Sequence, residues 1–288
     1  MLAADEITAA LRLIRAIAAG ETPAFEEMAD AATVFNQMLE SWTIDQLAIY
    51  QIVNYSHALT NNKQTYTMGT GGDFSTTRPV KIQTPGIIVG GIRHPLEMIT
   101  PAMWAAIPDK SLSGILPTEC WNDNAFPLLN LNFSPIPTAA ATFDAYLWQP
   151  FTSIVAAVGV VNTSGTGVSW VSGSYFDATM AGQSFVLAGV TYTVSSVTSA
   201  TALVLTSSAG TQTGIAYVCS STFSLPPGYG RALRYNLAVE LASEFGAALD
   251  PTVSAIAQSS KADLRQLNVS NDLAKLPSDI PPAPDQVQ

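Results

Sequence analysis

Residues 190–206 read Val-Thr-Tyr-Thr-Val-Ser-Ser-Val-Thr-Ser-Ala-Thr-Ala-Leu-Val-Leu-Thr, two runs of which the first changes polarity at nearly every step. Tyr192 and Val194 in the first run, and Leu203 and Leu205 in the second, repeat with the period of two that a half-buried strand requires. The same grammar extends on both sides. Further strand signals lie at 168–171, 184–187 and 215–219, punctuated by Gly165, Gly167, Gly173, Gly182, Gly189, Gly210 and Gly214. Across 153–223 Asp177 is the one charged residue, and the rest is mostly Ser, Thr, Gly, Val and Ala. That composition predicts a small all-β module, a barrel or a sandwich, with Trp170, Phe176, Phe185, Leu187, Tyr192, Val194, Leu203 and Leu205 as its core.

Outside this module the period changes. Residues 5–19 carry Ile7, Leu11, Ile14 and Ala18 on one helical face, with Gly20 as the stop. A second helix is expected to start at Thr22-Pro23, a capping threonine before a proline at the first helical position. Its apolar residues Phe25, Met28, Ala32, Phe35, Leu39 and Trp42 step by three and four, the spacing of a seam that packs on another helix. After Leu225-Pro226-Pro227-Gly228, the stripe Tyr229, Leu233, Leu237, Leu241 and Phe245 predicts a third long helix capped by Gly246. A further helix begins near Asp250-Pro251, with Val253, Ile256, Ser260, Leu264 and Leu267 on one face. Between the front helices and the module, strands are expected near 49–55, 64–68, 79–83, 86–93, 117–121, 128–133 and 140–148, with a short helix from Thr100-Pro101.

The reading is an α+β chain. Helices at 1–46 and 224–268 form a bundle, 47–152 a central antiparallel β domain, 153–223 the inserted module, and 269–288 an extended proline-rich tail.

Composition limits the function. Charged residues make up 12% of the 288, against about 25% in an ordinary soluble domain, which points to a surface covered by partners. The net charge is −10 and the 12 Lys and Arg form no basic run, so tight nucleic-acid binding is disfavoured. The apolar run 154–161 is far too short to span a bilayer, and Asp5 and Glu6 stand where a signal peptide would be basic. With no export signal, Cys120 and Cys219 are expected to be reduced thiols.

Catalytic chemistry finds little support. His57 and His94 have no metal-ligand spacing to a Cys, Asp or Glu. Cys120 lies beside Glu119 without an activating neighbour. The Gly69-Thr70-Gly71-Gly72 cluster lacks the Lys and the following helix of a phosphate loop, and reads as the tip of a hairpin. No catalytic residue, metal site or cofactor is expected.

Four ordered segments carry a resemblance. They are Ala10-Leu11-Arg12-Leu13-Ile14 through Gly20-Glu21-Thr22-Pro23 to Asn36-Gln37-Met38-Leu39-Glu40-Ser41-Trp42; Tyr66-Thr67-Met68-Gly69 through Asp73-Phe74 to Arg78-Pro79; Ile107-Pro108-Asp109-Lys110-Ser111; and Leu225-Pro226-Pro227-Gly228-Tyr229 with Ala232-Leu233-Arg234-Tyr235-Asn236-Leu237-Ala238 and Glu244-Phe245-Gly246. Together they resemble the head-to-tail adaptor, or packaged-DNA stabilisation, proteins of tailed bacteriophages.

The resemblance implies a structural ring of twelve copies, made in the host cytoplasm and placed at the head–tail interface of the virion. Its partners would be the portal protein, tail proteins (nozzle, tube or fibre) and further copies of itself. Genomic DNA would pass through its channel without sequence-specific binding, and no membrane is involved. Bundle and inter-subunit packing would fall to Phe25, Phe35, Leu39, Trp42, Tyr229, Leu233, Leu237, Leu241 and Phe245. Portal docking would fall to Leu276, Pro277, Ile280, Pro281, Pro282 and Pro284. Residues 153–223 depart from the shorter members of the family. Two other readings stand beside the adaptor: a virion-associated cell-wall hydrolase using unassigned carboxylates, and host-surface or carbohydrate binding by the module.

Overall fold

The computed structural model describes residues 1–45, 47, 52–223, 225–226 and 228–273. In chain order its elements are α1 (Ala3–Leu13), α2 (Phe25–Ile44), β1 (Ile52–Leu59), β2 (Thr65–Gly69), β3 (Phe74–Ser75), β4 (Lys81–Val89), β5 (Ile92–Pro95), β6 (Glu97–Ile99), α3 (Pro101–Ala106), β7 (Ser113–Gly114), β8 (Glu119–Asn122), β9 (Leu129–Ser134), β10 (Ile136–Pro137) and β11 (Ala141–Trp148). Then follow β12 (Ala156–Ser164), β13 (Gly167–Gly173), β14 (Ser184–Leu187), β15 (Val190–Ser199), β16 (Ala202–Leu205), β17 (Gln212–Ser220), α4 (Tyr229–Glu244) and α5 (Pro251–Leu273). The protein is thus mixed α+β. The chain divides into two compact units, Met1–Leu39 with Ser153–Gln288, and Glu40–Thr152. Among the described residues no helix is long and apolar enough to cross a membrane.

In the unit Glu40–Thr152, the sheet β1-β11-β4-β5 is antiparallel throughout, and a second sheet runs β3-β2-β9-β8-β6. Three short pairings, β2 with β3, β6 with β8 and β7 with β10, are parallel within this mostly antiparallel region. Burial alternates along β9 as far as Phe133 (Leu129, Leu131, Phe133) and throughout β11 (Ala141, Phe143, Ala145, Leu147), so one face of each sheet meets in a common core. Phe74 is the hinge of that core: its ring stacks on Tyr66 at 5.0 Å and on Phe143 at 5.5 Å.

In the other unit, residues 156–220 form a closed six-stranded barrel, ordered β12-β13-β16-β15-β14-β17. This decides between barrel and sandwich. Its interior holds Phe176, Phe185, Leu187, Val194, Leu203, Leu205 and Tyr217, with Trp170 and Tyr192 half-buried at its margin. Closure depends on two glycines paired across β12 and β13. A Cβ on Gly173 (φ +94°) would lie 2.4 Å from the Cα of Gly159, and one on Gly159 would lie 2.3 Å from the Ser172 carbonyl oxygen. No other residue type fits that approach.

The helices of this unit are fastened by polar contacts between distant parts of the chain. Ala3 N–H donates to the Ser221 carbonyl at 2.9 Å and Ala4 N–H to Ser220 Oγ at 3.0 Å, so the end of β17 caps α1. Phe223 N–H donates to the Met1 carbonyl, and Leu2 bridges Thr222. α1 packs on α4, and α4 on α5. Glu6, only 3% exposed, accepts two bonds of 2.9 Å from the Arg234 guanidinium, and Asn236 Nδ2 donates to the Ala257 carbonyl of α5.

Two helix boundaries differ from expectation, for local reasons. α1 stops at Leu13, not residue 19, because Arg15 takes the left-handed conformation (φ 59°). Ala16 N–H returns to the Leu11 carbonyl and Arg15 N–H to that of Arg12, a Schellman closure with arginine where glycine is usual. Ala18 is consequently exposed. α2 starts at Phe25, so neither Thr22 nor Pro23 opens it. The Ala24 carbonyl receives Met28 N–H, and Ala24 N–H donates to Glu27 Oε2, the returning half of a capping box.

Arg234→Ala should cost about 2 kcal/mol, because it strands a buried carboxylate while water screens the half-exposed arginine side of the pair. Ser220→Ala should cost about 1 kcal/mol, the usual worth of a lost helix cap. Urea unfolding with the two variants measures both.

Candidate functional site

The ionisable and nucleophilic groups do not converge. Cys120 and Cys219 are free and buried. Burial pushes the Cys219 thiol up to about 12, with the Asp177 carboxylate adding to the shift, and burial drives Cys120 higher still. Neither is a thiolate near neutrality. The His57 ring lies parallel to Tyr55 and 4.6 Å from Phe74, a packing role. Among the described residues no group of three or more His, Cys, Asp or Glu is placed to hold a metal ion.

The glycine cluster at 69–72 forms a turn closed by Gly72 N–H on the Gly69 carbonyl. A short strand, β3, follows it where a phosphate loop would open a helix. Asp73 occupies the mouth of the turn and accepts from Thr67 N–H, Thr67 Oγ1 and Lys63 Nζ. A carboxylate already fills the position an anion would take.

What the fold does build is a groove of about 700 Å³ in the unit Met1–Leu39 with Ser153–Gln288. Its floor is one stripe of α1: Ala4, Asp5, Thr8 and Arg12. Spacing of three to four residues sets these on one helical face. One wall comes from β12, β13 and β17 around the close Gly159–Gly173 approach. The lip is Thr22, Pro23, Phe25 and Met28. Arg12 is held at the rim by a 2.9 Å bond from Nη2 to the Glu21 carbonyl, and Tyr217 donates its hydroxyl to the Ser174 carbonyl. The groove combines apolar walls with one anionic and one cationic side chain, Asp5 and Arg12.

The packing residues read from the sequence take different positions. Phe35, Leu39, Trp42, Tyr229, Leu233, Leu237 and Leu241 are buried, Phe245 is half-buried, and Phe25 is 40% exposed at the groove lip. Phe35 meets Phe223 at 5.9 Å, and Asn36 exchanges two hydrogen bonds with the backbone of Ile154. Leu276, Pro277, Ile280, Pro281, Pro282 and Pro284 lie outside the described residues. The groove was not legible in the sequence, since its lining comes from five separate stretches. No protein-family model and no curated protein matches the chain.

Asp73 yields a pH prediction. The hydrogen bond from Lys63, then that from Thr67 N–H, holds its carboxyl below the ordinary 3.8. A depressed folded value adds stability above the unfolded value and loses it as pH falls through the folded one. Unfolding free energy should therefore decline below about pH 4 with a slope that Asp73→Asn makes shallower. The thiols give another: the native protein at pH 8 should release no colour from a disulfide exchange reagent, and the unfolded protein should titrate both cysteines.

Proposed function

We propose that this protein is a structural adaptor of a tailed-phage head–tail interface, a ring subunit that docks beneath a portal and carries tail components. The observation that carries the reading is the joining of distant helices: α1, α4 and α5 are drawn together by Glu6–Arg234 and Asn236–Ala257. In this reading the helices from both ends of the chain make up one bundle, with β structure in the intervening sequence, as the adaptor-like segments imply.

Surface chemistry adds support. Phe126 is 87% exposed, yet its loop is bolted in place. Asp123 accepts from Ala125 N–H, Asn130 N–H and Asn130 Nδ2, while Arg78 donates to the carbonyls of Asn124 and Ala125 and lies over the Phe126 ring. A rigid loop that presents an aromatic ring to water has the form of an interface anchor. Ile92 and Ile115 are similarly exposed. A charge of −10 suits a channel wall that DNA slides past, since clustered cations would hold the phosphates. In this reading the proline-rich stretch that follows α5 reaches the portal, and the groove beside α1 takes side chains from a neighbouring copy.

Native mass spectrometry of the full chain with a purified portal ring tests the proposal. A complex holding one adaptor copy per portal subunit is expected, and removal of residues 274–288 should abolish it. A chain that stays monomeric and never joins the portal ring would overturn the reading.

A further inference from the structure

We infer that the barrel carries a binding platform for a neutral glycan, built on Tyr175 and Trp170 and bordered by the turn at 199–201. The inference is independent of the adaptor reading. The Trp170 and Tyr175 rings are nearly parallel, 21° apart with centroids separated by 4.6 Å. Tyr175 is 59% exposed, so Trp170 backs one face of its ring and leaves the other toward solvent.

The platform is held rigidly. The indole N–H of Trp170 donates to the Gly173 carbonyl, which fixes the ring and satisfies its polar atom. Positive φ at Gly173 lets the chain turn at the end of β13 and fold Tyr175 back over Trp170. Ser174 N–H donates to the Val158 carbonyl and Phe176 N–H to that of Ala200, so the chain is anchored on both sides of Tyr175. Phe176 is itself sunk in the barrel core. An exposed aromatic with its backbone pinned at both neighbours loses little freedom on binding.

Its surroundings select the ligand class. Trp170 N–H donates to the Thr201 carbonyl, which brings the turn at 199–201 beside the rings. Ser199 Oγ and Thr201 Oγ1 lie there 3.4 Å apart and exposed. These hydroxyls both donate and accept, and the aromatic face offers apolar area with a negative quadrupole to polarised C–H groups. Sugar rings present that combination: a C–H face rimmed by hydroxyls. Charge is sparse in the barrel. Asp177 is the one charged residue between 153 and 223, and its carboxylate is engaged by the backbone N–H and hydroxyl of Thr179. With no Lys or Arg in that stretch, the barrel itself supplies phosphates and acidic sugars with no cation to pair with. A protein helix would want continuous apolar surface, and here hydroxyls interrupt it.

The test titrates the full-length protein with maltoheptaose, laminarihexaose and chitotetraose, followed by calorimetry and tryptophan fluorescence. Saturable binding to at least one is expected, with a Kd on the order of 1 mM for a small open site. Tyr175→Ala should weaken it about tenfold or more, and Tyr175→Phe, which keeps the ring, should stay within about threefold. Circular dichroism confirms that each variant keeps the barrel. Absence of heat and fluorescence change with all three sugars up to roughly 20 mM would overturn the inference. So would a folded Tyr175→Ala variant that binds like the parent, and capture of an apolar peptide in preference to any sugar.

Discussion

The first turn of α1 has backbone N–H groups and no capping side chain of its own. Its N-cap is Leu2, which has nothing to accept with. A helix end without partners is costly when buried, and here Ala3 and Ala4 are fully covered. The end of β17 resolves this: the Ser221 carbonyl and the Ser220 hydroxyl take the two donors. The helix that starts the chain is therefore completed by the strand that closes the barrel. The barrel in turn cannot be treated as cargo on the helices. Excising it would leave α1 uncapped and would remove the wall that shapes the groove.

From that joint the rest of the unit follows in register. With α1 pinned at its N-terminus, Glu6 comes to face α4, and Arg234 meets it with both guanidinium nitrogens. An ion pair with one buried partner gains little net energy, because desolvation offsets most of the attraction. Its stronger effect is on alignment. Ala and Leu side chains along α1 and α4 could interlock at several offsets, while the bidentate geometry accepts one. Asn236 repeats the device between α4 and α5 by donating to the Ala257 carbonyl.

Much of this was legible in the sequence where local chemistry acts alone. The strands β9 and β11 show their period of two openly. Gly246 closes α4 through the bond from Ala247 N–H to the Ala242 carbonyl, and Asp250 caps α5 by accepting from Thr252 N–H. Where tertiary contacts decide, the sequence was opaque. β12 reads as an unbroken apolar run, Ala156-Ala157-Val158-Gly159-Val160-Val161, because it pairs on both edges and meets covering groups on both sides. Arg15 gives no sign that it will adopt a left-handed turn. The aromatic platform was half visible: Trp170 appeared as a core residue, whereas its stack with Tyr175 depends on how Gly173 turns the chain.

The same contrast bears on why a chain so poor in charge needs the few ionic groups it has. Of the twelve cations, Lys63, Arg93 and Arg234 are committed to Asp73, Asp144 and Glu6, and Arg12 and Arg78 to backbone carbonyls. These are positions where a turn, a sheet edge, a helix register or a loop must be fixed, not sites that reach for a ligand. Charge used in this way hardens local geometry. A rigid patch built on an aromatic anchor such as Phe126 or Tyr175 associates through shape and apolar contact, so recognition there should depend weakly on salt. That physical property is common to assembly with protein neighbours and to binding of an uncharged sugar.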